Sequence, residues 1–390
     1  MIRMKSNRVT YILAIASITA LCFGYLNVEK VCAEFQVMRV AVPATHVNVN
    51  VHSHPRPHAT ACRRIYVTGF EAIRGVGHGT ISVIASNTVL GSPINVGQDA
   101  VGIAYNPHNY DMYVVDDTGG TVSMIDGDRG TVVGSPINVG VGAHAIAYSP
   151  DNNDMYVTNE GDGTVSVIDS LHNTVAGSPI KVGYNDNYPI DIAYNPDNHY
   201  MYVTMGNNTV IAINPSSNTV VGSPIKVAQL GYPFGINAIA YDPDNKDMYV
   251  SIDDYRTFED PSGTYDGTVS VIDSFHNTVV GSPINVGQFP VGIAYSPHSK
   301  DMYVVNNKDG TVSVINPSSN TVIGSPIRVG NNPDYVAGDY PDSYEMYVTN
   351  RGDGTVSMIN STSNSVVGSP IRVGNTPGEN PVGIAYCSGP

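Results

Sequence analysis

From Arg64 to Tyr386 the chain alternates apolar and polar residues in short runs, as in Thr164-Val-Ser-Val-Ile-Asp169, with turn residues between them. A period of two is the mark of half-buried strands, and Asp-Gly and Asn-Thr turns are residues that tolerate tight hairpins. One stretch, Gly161 to Gly183, recurs along most of the chain as GDGTVSVIDSLHNTVAGSPIKVG or a close variant. The glycine of its Gly-Ser-Pro falls at Gly91, Gly134, Gly177, Gly222, Gly281, Gly324 and Gly368, seven copies spaced 43, 43, 45, 59, 43 and 44 residues apart. A repeat in the forties made only of strands predicts an all-β, seven-bladed β-propeller, one four-stranded antiparallel blade per copy.

The copies are out of step with the termini, and this predicts how the ring closes. The first copy supplies three strands, around Ile65–Thr68, Thr80–Ile84 and Asn87–Val96, while the strand it lacks appears at the far end as Pro381-Val-Gly-Ile-Ala-Tyr386. The last strand is therefore expected to pair into the first blade, removing the open edges of an unclosed array. Aligned on the third copy, Cys62 and Cys387 fall three residues apart in one turn, within disulfide reach, and a Cys62–Cys387 bond across the seam is expected.

Met155-Tyr-Val-Thr-Asn159 followed by Gly163-Thr-Val-Ser-Val-Ile-Asp169, and Met346-Tyr-Val-Thr-Asn350 followed by Gly354 to Asn360, resemble the YVTN-type β-propeller repeat. The resemblance covers Arg64 to Tyr386. It implies a propeller of the kind found in archaeal surface-layer proteins and related exported proteins, with binding and interaction roles and no shared catalytic motif. Haem-binding propellers are related, but the Cys-x-x-Cys-His of a c-type haem is missing here.

The ends of the chain add a location. Arg3, Lys5 and Arg8 precede an apolar run from Tyr11 to about Leu26, and Val31-Cys-Ala33 has the small residues of a cleavage site. Residues 1–33 read as a signal peptide, with an uncleaved anchor as the other reading, so the expected location is extracellular or on the cell surface. No later segment is apolar enough to span a membrane. Residues 34–61 read as an extended arm, and residues 62–390 as the propeller. A formal charge of −15 argues against nucleic acid and anionic membranes as partners. Tyr is abundant (25) and Trp absent, and most tyrosines hold fixed places in the repeat, so the aromatics report blade packing.

Candidate chemistry lies where the repeat is broken. In three neighbouring innermost strands His144, Asp191 and Asn237 replace the usual Val, Gly or Ala near the channel mouth, where they could hold a divalent cation or a polar ligand, or simply bind water. Asp339 stands where the other copies have Ala, either as a channel carboxylate or, the favoured reading, as a local change of register. The longest insertion, with Asp253, Asp254, Tyr255, Arg256, Phe258, Glu259, Asp260 and Tyr265, could contact a cation, a sugar or a partner protein. Asp116, Asp117, Glu160, Asp162, Asp309 and Asp353 make one face acidic and suit weak calcium binding, although Asp-Gly is also a preferred hairpin turn. Arg351-Gly-Asp353 spells an adhesion tripeptide but reads as a variant of the turn. In the arm, His46, His52, His54 and His58 could capture copper or zinc.

No nucleophile elbow, phosphate loop or paired catalytic carboxylates can be found in the sequence. Near-identical copies leave few positions free to diverge, and the expected function is a non-catalytic, exported scaffold that binds cell-envelope or surface-layer proteins or glycans. The alternatives are a lactonase- or lyase-like propeller enzyme using a cation at the channel mouth, and metal capture by the histidine arm.

Overall fold

The computed structural model describes residues 63–73, 76–183, 187–228, 235–253, 267–338, 344–374 and 380–388, all within one unit, Pro55–Pro390. Seven antiparallel blades follow one another. Blade 2 is typical, with strands Ala100–Asn106, Asp111–Asp116, Thr121–Asp126 and Thr131–Asn138 running from the axis outward. Blades 3, 4, 5, 6 and 7 start at Ala143, Pro189, Ile236, Pro290 and Pro333. No helix among the described residues is long and apolar enough to cross a membrane.

Blade 1 is assembled from both ends of the propeller, as the strand count requires. Its innermost strand, Asn380–Ser388, pairs with Arg63–Ile73 in the register Arg64↔Cys387 and Ile65↔Tyr386. Cys387 is fully buried and disulfide-bonded. Cys62 lies outside the described residues, as do the signal-peptide and histidine-arm segments.

The second strand of each blade explains the Met-Tyr-Val pattern. Met112, Met155, Met201, Met248, Met302 and Met346 are fully buried, and each core cluster joins apolar residues of adjacent blades. The following tyrosine is buried too, and its hydroxyl donates to the next blade. Tyr113 reaches Asn173 Oδ1 at 2.7 Å, Tyr249 reaches Asn320 at 2.6 Å, and Tyr347 reaches Asn87 at 3.2 Å. Tyr156, Tyr202 and Tyr303 repeat the bond, while Tyr66 uses the carbonyl of Gly127. The acceptor asparagines adopt positive φ, 54° at Asn173 and 52° at Asn320, so one residue type makes the turn and takes the bond.

Gly-Ser-Pro sits in the outermost strand. Its glycines have φ between +66° and +69°. In blades 2, 4, 5 and 6 the motif forms a bulge, and in blades 1, 3 and 7 it splits the strand in two. A proline and a bulge on the edge strand leave little regular backbone for another chain to pair with.

Candidate functional site

Every innermost strand carries a β-bulge at the same place. Two of its residues face one residue of the second strand, as Val101 and Gly102 face Val115, and His144 and Ala145 face Thr158. The bulge turns its first residue toward the axis. All seven first residues line one cavity of ≈310 Å³ at the channel mouth. Val101, Ile190, Val291 and Val382 make four of the positions apolar, and His144, Asn237 and Asp334 make three polar, in blades 3, 5 and 7.

The second bulge residue packs against the next blade. A Cβ on Gly102 would come 2.3 Å from the carbonyl oxygen of His144, and one on Gly383 would come 2.2 Å from that of Val101. Backbone approach between blades thus demands small residues here, rather than crowding at the axis. Two positions escape the rule, Asp191 in blade 4 and Tyr335 in blade 7.

Hydroxyls hold the bulges in place. Thr158 Oγ1 accepts the N–H of Ala145 at 2.9 Å and donates to the carbonyl of Ile190, in the next blade, at 3.0 Å. Thr204, Ser251, Thr349 and Thr68 make the same two bonds in blades 4, 5, 7 and 1. In blades 2 and 6 the position is Val115 and Val305, which have no hydroxyl.

Loops above the ring complete the cup with Asp99 and Asp117 from blade 2 and Arg351 from blade 7, and the strand Arg63–Ile73 of blade 1 adds Phe70. The Arg351 guanidinium lies 4.0 Å from Asp334 and over the Phe70 ring at 5.6 Å. His144 Nδ1 is 3.9 Å from Glu160 Oε1. Burial pushes the Asp334 carboxyl up to about 6, with Arg351 and then His144 acting against it. Burial likewise raises Asp191 to about 6, opposed by N–H donors from Ile239, at 2.9 Å, and Ile192, and then by His144. Asp99 is raised by burial and by neighbouring Asp117 and Asp116, and Glu160 by burial against the pull of His144. Tyr335 is held well above its ordinary value by burial, then by Asp191, Asp334 and Glu160.

His144 and Asn237 share the cavity wall, with Asn237 Nδ2 donating to the Pro290 carbonyl at 2.7 Å. Asp191 occupies the other bulge position and turns a carboxylate oxygen to the Ile239 N–H, so the three do not form one ligand group. The register of blade 7 is locally changed, as the favoured reading of Asp339 has it. Pairing sets Ala337 against Tyr347, which puts Gly338 where other blades have the strand tyrosine. Counting back from Tyr340 misplaces every residue by two and hides Asp334 and Tyr335. The Ala position is held by Ala337, and Asp339 lies outside the described residues. Arg351, set aside as a turn variant, is part of the cup.

The acidic turns have structural partners. Asp116 accepts the N–H groups of Gln98 and Asp99, Asp162 that of Val141, Asp309 that of Gln288 and Asp353 that of Asn331. Among the described residues no three His, Cys, Asp or Glu side chains lie close enough to hold a metal ion. Asp253 belongs to the strand Asp247–Asp253 and is buried, not displayed on a loop, and Asp254 to Tyr265 lie outside the described residues.

No family model and no curated protein matches the chain. Solved structures do. Hydrazine synthase of Kuenenia stuttgartiensis superposes with a TM-score of 0.59 at 20% identity, over 73% of this chain and 90% of that one. Dihydro-heme d1 dehydrogenase NirN gives 0.59 at 14%, covering 84% and 67%. Virginiamycin B lyase from Staphylococcus aureus gives 0.54 at 15%, covering 70% and 85%. The expected non-catalytic surface-layer scaffold is overturned by these neighbours, which carry enzyme names. Its premise fails as well, because near-identical repeats still leave the seven bulge positions free to diverge. What the chain shares with all three is the seven-bladed β-propeller fold.

Proposed function

We propose that the protein is a propeller enzyme performing acid–base chemistry of the lyase or lactone-opening kind on a small molecule in the axial cup. The observation that carries this reading is the convergence of His144, Asp334 and Arg351, from blades 3 and 7, on one cavity whose other ring positions are mostly apolar. A carboxyl raised to about 6 is ionised at neutral pH yet basic enough to take a proton. In an elimination, Asp334 removes the proton beside a carbonyl and the C–H electron pair becomes a C=C bond. The bond to the leaving oxygen breaks, and that oxygen takes a proton from His144. Arg351 offsets the charge that develops on the carbonyl oxygen. The lyase neighbour supports this class of reaction, and none of the steps needs a metal ion.

Turnover of virginiamycin B and of a series of aryl esters and lactones tests the reading. Asp334→Asn and His144→Ala should each lower kcat/KM by about 100-fold or more, with the melting temperature little changed. A panel on which nothing turns over, or variants that keep the parent rate, would overturn it.

A further inference from the structure

The cup is lined by four side chains that can donate a hydrogen bond, and three of them have protein partners. Asn237 Nδ2 donates to the Pro290 carbonyl, Arg351 lies against Asp334, and His144 Nδ1 faces Glu160. The fourth is Tyr335, which brings a hydroxyl to the cavity wall. Among the described residues that hydroxyl has no hydrogen-bond partner, and it is not among the atoms sealed from solvent. Its position in the fold is unusual too. Five blades hold Gly or Ala at the second bulge position, whereas in blade 7 a tyrosine stands there and lines the cavity. The ring packs on the cluster that contains Val101 and Val382. The hydroxyl lies in the fields of Asp191, Asp334 and Glu160, from blades 4, 7 and 3, so the phenol extends from blade 7 over the axis. A donor held in a walled cavity without a partner is satisfied by what enters that cavity.

We infer that the Tyr335 phenol donates a hydrogen bond to the carbonyl oxygen of the cup's ligand, an uncharged carbonyl compound with an apolar body. The inference rests on the cup being the ligand site and adds a residue to the reaction proposed for it. The body of the ligand covers the apolar ring positions Ile190 and Val291. An ionised ligand oxygen would be repelled by the carboxyls around the phenol, whereas a neutral carbonyl oxygen is not. Burial and those same carboxyls oppose loss of the phenolic proton, so Tyr335 stays a donor throughout and transfers nothing. When charge develops on the carbonyl oxygen, the phenol shares it with Arg351.

Two probes of one shape, 1-indanone and indane, separate the carbonyl from the apolar body, and neither contains an ester or lactone to be opened. In calorimetric titration of the full chain the ketone should bind about 10-fold more tightly than the hydrocarbon. The carbonyl stretch of isotope-labelled 1-indanone should move to lower frequency on binding. Tyr335→Phe should abolish that frequency shift, weaken the ketone about 10-fold and leave indane unchanged. Its melting temperature should match the parent, because the hydroxyl has no protein partner to lose. On any ester or lactone that is turned over, the same variant should lower kcat about 100-fold while KM changes far less. Equal affinity for the two probes, no detectable binding of the ketone, or a carbonyl band that Tyr335→Phe leaves in place would overturn the inference. Turnover that needs Asp334 and His144 but not Tyr335 would leave the enzyme reading standing and remove only this one. A Tyr335-dependent carbonyl shift in a protein that turns over no ester or lactone would do the reverse.

Discussion

Asp191 and Asp334 sit near 6 mainly because protein has replaced the water that would stabilise their charge. The native state then binds protons more tightly than the unfolded chain, where an aspartate titrates near 3.9. Between about pH 4 and pH 6 the folded form holds protons that the unfolded form has released, so this contribution to stability is fullest in acid and is lost as pH rises through the window. Asp191→Asn should accordingly raise the melting temperature at pH 7.5 and bring little or no gain at pH 4. Asp154 and Asp247, also raised to about 6 by burial and by Asp169 and Asp273 respectively, act in the same direction. Only the difference between parent and variant melts isolates Asp191; a gain of equal size at both pH values would contradict the assignment.

At the scale of the element, the tyrosine bond between blades gives a graded test. Tyr202→Phe removes only the hydroxyl that reaches Asn277 and should cost about 1 kcal/mol. Asn277→Gly keeps the positive φ of 54° and loses the acceptor, whereas Asn277→Ala loses both and should be the most destabilised of the three in denaturant melts. The repeat, the closing strand and these buried positions were legible because each strand states its own periodicity. The cup was legible only in part. His144 and Asn237 showed as polar residues in an apolar slot, but Asp334 was hidden because Gly338 stands where the other innermost strands have their tyrosine. A bulge adds a residue, and counting from any landmark beyond it places side chains on the wrong face. Convergence of Arg351 and Asp99 on the same cavity depends on seven-fold closure, which no local pattern expresses.

At the scale of the whole molecule, closure rests on one strand pair. The register Arg64↔Cys387 puts the buried, disulfide-bonded Cys387 in the strand pair that closes the ring. Non-reducing peptide mapping should recover a Cys62–Cys387 linked fragment, and Cys387→Ser should melt several degrees lower, because the bond would close nearly the entire propeller. Fragments that separate without reductant would exclude the pairing.

The hydroxyl links at the bulges have a mechanical consequence. They run in one direction, each blade holding the carbonyl of the next, and they are missing after blades 2 and 6, where Val115 and Val305 stand. The carbonyls left without such a link belong to His144 and Asp334, the two ionisable residues of the ring. The hydroxyl links thus tie blades 3 to 6 and blades 7 to 2 into two arcs, and the seams between the arcs, crossed by the Tyr113–Asn173 and Tyr303–Asn364 bonds, lack this link beside His144 and Asp334. Amide exchange at Gly102 and Gly292 should outpace that at Ala145 and Ala238, and Val115→Thr should slow it at Gly102, stiffening the mouth against its ligand.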